Sequence, residues 1–346
     1  MISVIIPIYK SELYLEQAIL SILGQRNVDI ELILVNDDSP DNSEEVCSKY
    51  LLQDKRVKYI KQLNQGPAHA MNNGVRASSG EFIMFLDGDD WIDKNCLDEI
   101  ISAQLNSNAD IVFWNYMKEF GTHSERVVPF CSEATIFEGK NLALLQRRVV
   151  GLINDELYNI SKFDQISSGW GKLYRRDLFD QDEYCLVGID GKDNFDTELI
   201  IRLFAKSTKI LFINRDFNHY RMYNINSLTK TYKGGLFAKQ KHMFLSLFKF
   251  LEQNESDESS YLALNNRIAT CILNNILSIT SPNNNTNIFR KFRLIREILH
   301  DDLYKNSIRK FQFRFVRPVH FIFFKMCRWK FALGILCAAF IIRKLK

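Results

Sequence analysis

Nothing in this chain makes a disulfide framework or a zinc site. Its seven cysteines are scattered, with no CxxC pair and no histidine cluster beside them, a pattern that suits a reducing cytoplasm. No GxGxxG follows the first strand-like run, which removes the dinucleotide fingerprint of a dehydrogenase. The longest uncharged apolar run, Phe331–Ile342, holds 12 residues, too few to span a bilayer as a helix. Met1 leads straight into a strand-like run, so no signal peptide is expected. There is no internal repeat and no low-complexity segment. The six histidines are spread out; His69 and His219 read as surface or core residues, with His219 close enough in sequence to Arg221 to touch an anion bound there.

What is present is ordinary for a globular protein. The 346 residues are 46% hydrophobic and 25% charged, enough for two domains. The net charge of +4 is modest and no nucleic-acid partner is expected. The distribution of charge says more: the C-terminal segment interleaves Lys and Arg with Phe, Val, Trp and Ile.

The chain is organised around Glu81-Phe82-Ile83-Met84-Phe85-Leu86-Asp87-Gly88-Asp89-Asp90-Trp91. A short apolar run without proline ends in three carboxylates within four residues, which reads as a buried strand followed by an acidic turn. Past the C-terminal ends of strands is where open α/β sheets bind ligands. Clustered acids repel unless a cation sits among them, and hard oxygen ligands select Mg²⁺ or Mn²⁺, which in turn bind diphosphates. The plainer alternative is an acidic loop, with Asp89 or Asp90 capping the helix near Leu97.

Around this stretch, strands and helices alternate. Ser3–Ile8, Glu31–Val35, Val57–Ile60, the Phe82 run and Asp110–Trp114 read as strands. Leu15, Ala18, Ile19, Ile22 and Leu23 mark a helix by their spacing, with Ser11 as a candidate N-cap. Ser43–Leu52, Pro67 to about Ala77, and about Lys94 to Leu105 also read as helices, Pro67 suiting a first helical position. The alternation predicts βαβ units and an α/β fold with a doubly wound, mostly parallel sheet. Further on come short strands within 126–137 and a helix over 139–150. The Ser168–Arg176 segment reads as a glycine-rich turn into a basic patch, with a solvated helix start as the plainer reading. An apolar helix face follows Asp196-Thr197-Glu198, then a strand at Lys209–Ile213. From about Leu236 to Ile298 the pattern is helical, with breaks at 254–260 and 281–287.

Several motifs in order make residues 1–230 resemble the inverting glycosyltransferases of family 2, which have the GT-A fold and use nucleotide sugars. Ser3–Tyr9 resembles the family's first strand, which would set Pro7 and Tyr9 beside the nucleotide. Asn36-Asp37-Asp38-Ser39-Pro40-Asp41 is similar to its DDGSTD element, with Asp37 at the position that binds the base. Asn64-Gln65-Gly66 and Asn72-Asn73-Gly74 resemble the NxG…RNxG segment. Asp87-Gly88-Asp89-Asp90 resembles the DxD motif; the resemblance makes Asp87 and Asp89 ligands of Mn²⁺ or Mg²⁺ and contacts of the ribose and diphosphate. Asp196-Thr197-Glu198-Leu199 resembles EDxEL, whose Asp is the general base. Tyr220-Arg221…Ser227…Thr229 is similar to the YR…SxT ending of bacterial polysaccharide transferases. Departures from the pattern are Asn36, Asp38 (for Gly), Met71 (for Arg) and Phe195 (for Glu). A phosphate contact missing at Met71 could come from Lys172, Arg175 or Arg221, and Asp193 is a rival to Asp196.

The resemblance implies an enzyme that moves a sugar from a nucleotide-sugar donor, a UDP-sugar first, to a lipid-diphosphate-linked glycan of the undecaprenyl-diphosphate type, for O-antigen or capsule. Residues 1–115 would bind the nucleotide, 116–230 the acceptor, and 231–346 would form a helical, basic C-terminal extension. The tail is too short an apolar helix to cross a bilayer and suits an interfacial position, so a cytoplasmic protein on the inner face of the plasma membrane is expected. Packing on the catalytic domain or a homodimer contact is the alternative use of the tail. Two other functions stay open: a haloacid-dehalogenase-type phosphohydrolase, whose DxD normally opens its domain, and a non-catalytic nucleotide-sugar-binding homologue.

Overall fold

The computed structural model of the protein describes residues 1–129, 133–162, 165–179, 195–224 and 235–344. Residues Met1–Gln146 and Asp164–Asn226 form one compact unit, and Arg147–Phe163 with Ser227–Lys346 form a second.

In chain order the elements up to residue 221 are β1 (Ile2–Ile8), α1 (Leu15–Leu23), β2 (Ile30–Asn36), α2 (Ser43–Gln53), β3 (Val57–Lys61), α3 (Pro67–Ala77), β4 (Phe82–Phe85), β5 (Trp91–Ile92), α4 (Cys96–Ser107), β6 (Ile111–Glu119), β7 (Ser124–Val127), β8 (Thr135–Phe137), α5 (Gly139–Val150), β9 (Lys172–Arg175), α6 (Phe195–Lys206) and β10 (Ile210–Arg221). The sheet order is β3-β2-β1-β4-β9-β6-β10-β5, with β7 on β6 and β8 on β10. The half from β3 to β4 is wholly parallel. β9 then lies antiparallel to both β4 and β6, and β10 is parallel to β6. The sheet is mostly parallel along this path, as the alternating pattern predicts.

The central strands are apolar in succession because helices cover both faces. In β1, Ile2, Val4, Ile5, Ile6 and Ile8 are all buried. Helix α3 lies on β1 so closely that a Cβ at Gly74 would fall 2.3 Å from Ile5 Cγ2. Pro67 begins α3 after Gly66, whose φ of 94° an L side chain rarely adopts.

Three local expectations are corrected. Ser11 does not cap α1; Tyr14 holds the N-cap position, and Ser11 instead supplies the carbonyl that accepts from Tyr14 and Leu15 N–H. The Lys172–Arg175 segment is not a solvated helix start but strand β9, with Lys172, Leu173 and Tyr174 buried. Neither Asp89 nor Asp90 caps the next helix; Asn95 precedes α4.

The second unit is helical: α7 (Leu236–Gln253), α8 (Glu258–Ile279), α9 (Ile288–His300), α10 (Asp302–Lys310), α11 (Pro318–Arg328) and α12 (Ala332–Lys344). Asp257, Asn287 and Asp301 cap α8, α9 and α10 by accepting backbone N–H bonds. α8 is its most buried helix, and Arg267 on it donates to the carbonyls of Val149 and Val150 at 2.9 and 2.7 Å, satisfying carbonyls at the buried C-terminal end of α5.

Candidate active site

Strands β2, β1 and β4 run in one direction, so their C-terminal ends share one edge of the sheet. The acidic turn stands there. Leu86 N–H continues the ladder to the Ile5 carbonyl, and Asp87 follows. The turn is tight against the end of β1: a Cβ at Gly88 would lie 3.0 Å from Ser11 Oγ and 3.5 Å from the Pro7 carbonyl. One oxygen from each of Asp87, Asp89 and Asp90 lies within 4.8 Å of the others. Asp90 is fully buried. Burial, and then the Asp89 and Asp196 charges, raise Asp87 well above the usual carboxylate range. Burial, and then Asp87 and Asp89, do the same to Asp90 against the opposing N–H of Arg221. Three hard carboxylates whose mutual repulsion asks for positive charge fit Mg²⁺ or Mn²⁺.

Arg221, at the end of β10, braces this turn. Its backbone N–H donates to Asp90 Oδ1 at 2.8 Å, its Nε to the Asp89 carbonyl at 2.7 Å and its Nη2 to Gln17 at 2.7 Å. The guanidinium sits over the rings of Tyr14, Trp91 and Tyr223 at 4.4, 4.5 and 4.9 Å, and Nη1 also bonds the Tyr223 hydroxyl. Asn224 donates to Asp89 Oδ2 at 2.7 Å. His219 is paired with Glu119 and Asp93 at 2.7 and 3.0 Å and stacks on Trp91, so both its ring nitrogens face carboxylates.

Asp37 stands past β2 and is held by the Asn64–Gly66 segment. Its carboxylate accepts from Gln62 Nε2 and the N–H of Gln65 and Gly66 at 2.7, 2.8 and 2.8 Å, and Asn64 donates to its carbonyl. Asn73 in turn donates to Gln62. The two asparagine–glycine motifs therefore support one carboxylate. Asp38 adopts φ 54°, the left-handed conformation that a glycine would take there, which Asp tolerates. Tyr9 is exposed and Pro7 partly exposed beside this loop, whose Ser39 accepts from the Lys10 N–H at 2.7 Å.

The opposite wall comes from the Ser168–Lys172 loop and the start of α6. Gly169 N–H donates to Asp196 Oδ1 at 2.9 Å. Lys172 is buried, and burial pushes its ammonium down to about 7 against the attraction of Asp196. Its Nζ donates to the Ser168 carbonyl at 2.6 Å. Met71 packs here: its Cε would lie 3.5 Å from a Cβ on Gly169. Arg175 pairs with Asp110 and Asp177. Asp193, Ser227 and Thr229 lie outside the described residues. Trp170, Tyr116 and Tyr220 form a partly exposed aromatic group beside Gly169; the sequence offers Tyr220 only as part of the YR…SxT ending and Trp170 only within the glycine turn, and nothing in it joins the three.

The profile described as Glycosyl transferase family 2 matches residues 3–183, just over half of the chain. The chain belongs to that family and is a glycosyltransferase. It is 31% identical over 224 residues to the glycosyltransferase GlyA of Streptococcus pneumoniae serotype 4, covering 64% of this chain and 30% of GlyA. It thus spans less than a third of that relative's length. The uncharacterized glycosyltransferase EpsJ of Bacillus subtilis (strain 168) is 26% identical over 335 residues, 95% of this chain and 93% of EpsJ. Among solved structures, residues 1–349 of S. aureus TarS superpose with a TM-score of 0.67 at 17% identity, covering 100% of this chain and 92% of that one. That protein was also solved with UDP and with UDP-GlcNAc. The likeness shows the fold: an α/β GT-A glycosyltransferase sheet followed by a helical region. Three βα units precede the acidic turn, which with the family match disfavours the phosphohydrolase.

Proposed function

We propose that the protein transfers a sugar, with inversion, from a nucleotide-sugar donor to a hydroxyl of a lipid-diphosphate-linked glycan during synthesis of a bacterial surface polysaccharide. A UDP-sugar is the first candidate donor, a choice supported by the UDP and UDP-GlcNAc complexes of TarS. The single observation that carries the reading is the meeting of two acidic groups at one sheet edge: the Asp87–Asp89–Asp90 cluster and Asp196, whose charge acts on Asp87.

In this reading Asp37, with Pro7, Tyr9, Asn64 and Gly66, borders the base and ribose. Asp87 and Asp89 would hold Mn²⁺ or Mg²⁺. A bound divalent cation supplies charge neutralisation for the departing diphosphate. Asp196 takes the proton from the attacking acceptor hydroxyl as general base, its Oδ1 aimed by the Gly169 N–H. Lys172 tempers the charge of Asp196, and Arg221 keeps the acidic turn in place close to where the diphosphate would lie. The opposed positions of base and leaving group suit in-line displacement without a covalent intermediate.

The C-terminal helices would hold the enzyme at the membrane carrying its acceptor. After Asp302 the sequence has 11 Lys and Arg and no Asp or Glu. Val319, Ile322, Trp329, Phe331 and Leu333 are exposed among them. Among the described residues no helix is long and apolar enough to cross a membrane, and the interface is the proposed location, on the cytoplasmic side.

The test is nucleoside diphosphate release from UDP-, GDP- and dTDP-sugars with Mn²⁺ and a lipid-diphosphate acceptor, then with EDTA in excess. Release that depends on the metal and rises with acceptor supports the reading. Full activity in EDTA removes the metal assignment, and no release from any donor removes the transferase assignment.

A further inference from the structure

The proposed function gives no role to the aromatic group that follows Gly169. Trp170 stacks on Tyr220 with centroids 5.6 Å apart and planes at 23°, and meets Tyr116 edge-on at 4.9 Å and 89°. All three rings are partly exposed. Trp170 follows Gly169, the residue whose N–H holds Asp196, so ring and carboxylate are carried by one short loop. That loop is pinned from several sides. Tyr174 donates its hydroxyl to the Gly169 carbonyl at 2.8 Å. Lys172 donates to the Ser168 and Trp170 carbonyls at 2.6 and 3.4 Å, and Ser168 Oγ to the Trp170 carbonyl at 3.1 Å. The indole N–H of Trp170 has no hydrogen-bond partner among the described residues.

A general base works only if the acceptor hydroxyl is held within hydrogen-bond reach of it. A rigid indole beside that base, backed by two tyrosines, offers an electron-rich face and a free donor at its edge. The flat C–H face of a pyranose matches the first, and a ring hydroxyl the second. An open-chain polyol has no such face. We infer that Trp170, supported by Tyr220 and Tyr116, is the acceptor subsite and stacks the terminal pyranose of the acceptor so that one hydroxyl faces Asp196. This rests on the transferase reading above and adds the acceptor class to it: a cyclic sugar end.

The experiment uses the full chain with UDP-glucose, UDP-galactose and UDP-GlcNAc as donors. Acceptor probes are the p-nitrophenyl β-glycosides of glucose, galactose and N-acetylglucosamine, with ribitol and glycerol as open-chain controls. Nucleoside diphosphate release by the unaltered protein with water as acceptor reports the transferase reading by itself. The unaltered protein should use at least one glycoside in preference to both polyols. Trp170→Ala should raise the KM for that glycoside by about tenfold or more, the worth of a ring contact plus a hydrogen bond, with the donor KM changed by less than about twofold. Trp170→Phe, which keeps a ring and loses the N–H, should fall between. A glycoside KM unmoved by Trp170→Ala, a donor KM that rises as much as the acceptor KM, or equal use of ribitol overturns the subsite. Failure of the unaltered protein to release nucleoside diphosphate from any donor overturns the transferase reading and the subsite with it.

Discussion

Replacing Asp89 by Asn should stabilise the metal-free protein and abolish its response to metal. Two full carboxylate charges about 4.8 Å apart, the limit separating the three acids, repel by roughly 3 kcal/mol at an effective dielectric of about 20. Asp89 faces two such neighbours. Part of that repulsion is already relieved, because burial and the neighbouring acids raise Asp87 and Asp90 so that they take up protons more readily. A net gain of about 1–2 kcal/mol remains, worth roughly 2–6 °C in melting temperature for a chain of this size. The Asn224 bond to Oδ2 can persist, because an amide oxygen also accepts. The unaltered protein should instead gain stability from Mn²⁺, about 2.7 kcal/mol at a hundred times its Kd, and Asp89→Asn should lose that gain. Thermal melts of both proteins in EDTA and across an Mn²⁺ titration measure both effects. A variant that melts lower in EDTA and keeps its Mn²⁺ shift would refute the cluster as a strained cation site.

Asp196→Asn should keep Mn²⁺ stabilisation and donor affinity while turnover falls by roughly two to four decades, the usual worth of a general base; a variant with normal turnover hands the role to another carboxylate such as Asp193. Glu31 is a structural acid. Burial alone would raise its pKa, but Lys58, Ser3 and the N–H groups of Ser79 and Gly80 outweigh this and bring it to about 2. The depressed folded value stabilises the protein above the unfolded pKa near 4.5, and that stability is lost as pH falls toward 2. Its full size is on the order of 3 kcal/mol; urea melts of Glu31→Gln should show lower stability at pH 7 and a flatter decline between pH 5 and 2, and an unchanged pH profile would be contrary evidence. For the tail, deletion is a poor test, because α11 buries Phe323, Phe324 and Cys327. Ile322→Glu combined with Trp329→Glu, which change side chains 61% and 72% exposed, should abolish pelleting with anionic liposomes without changing the melt. Pelleting that survives, or loss of a homodimer in its place, assigns the surface elsewhere.

The legible parts of the fold are those where local pattern and tertiary environment agree. β1, β2 and β4 are continuous apolar runs because they are buried on both faces, and Pro67 after a turn sequence marks the start of α3. β9 was not legible. A Lys-Leu-Tyr-Arg run after two glycines looks basic and exposed, yet Lys172 is buried by bonds to carbonyls from its own loop, a tertiary solution no local pattern announces. β10 runs well beyond the expected Lys209–Ile213, because Asn214, Arg215 and Asp216 interrupt the apolar pattern; register shifts against β6 absorb them, and the strand continues to Arg221. In the site, the links from Asp37 to Gln62, Gln65 and Gly66 fall on motifs legible by their spacing. The Trp170–Tyr116–Tyr220 group was not, since its members lie on three separate strands or loops.

The reversal at β9 explains why the site has two walls. β6 and β10 run in the same direction as β4, so Arg221 at the end of β10 reaches the acidic turn beyond β4. β9 alone runs the other way between β4 and β6. Its leading loop, not its end, therefore arrives at the edge where the parallel strands finish. That brings Gly169, Trp170 and Lys172 to the acids, and Gly169 in turn fixes Asp196 at the first turn of α6. Had β9 been parallel, Arg175 at its end would occupy that edge, away from Asp110 at the start of β6, and Asp196 would lose its backbone tether. In the proposed reaction the parallel half would supply the groups facing a nucleotide and its cation, and the antiparallel β9, between β4 and β6, those facing what attacks it.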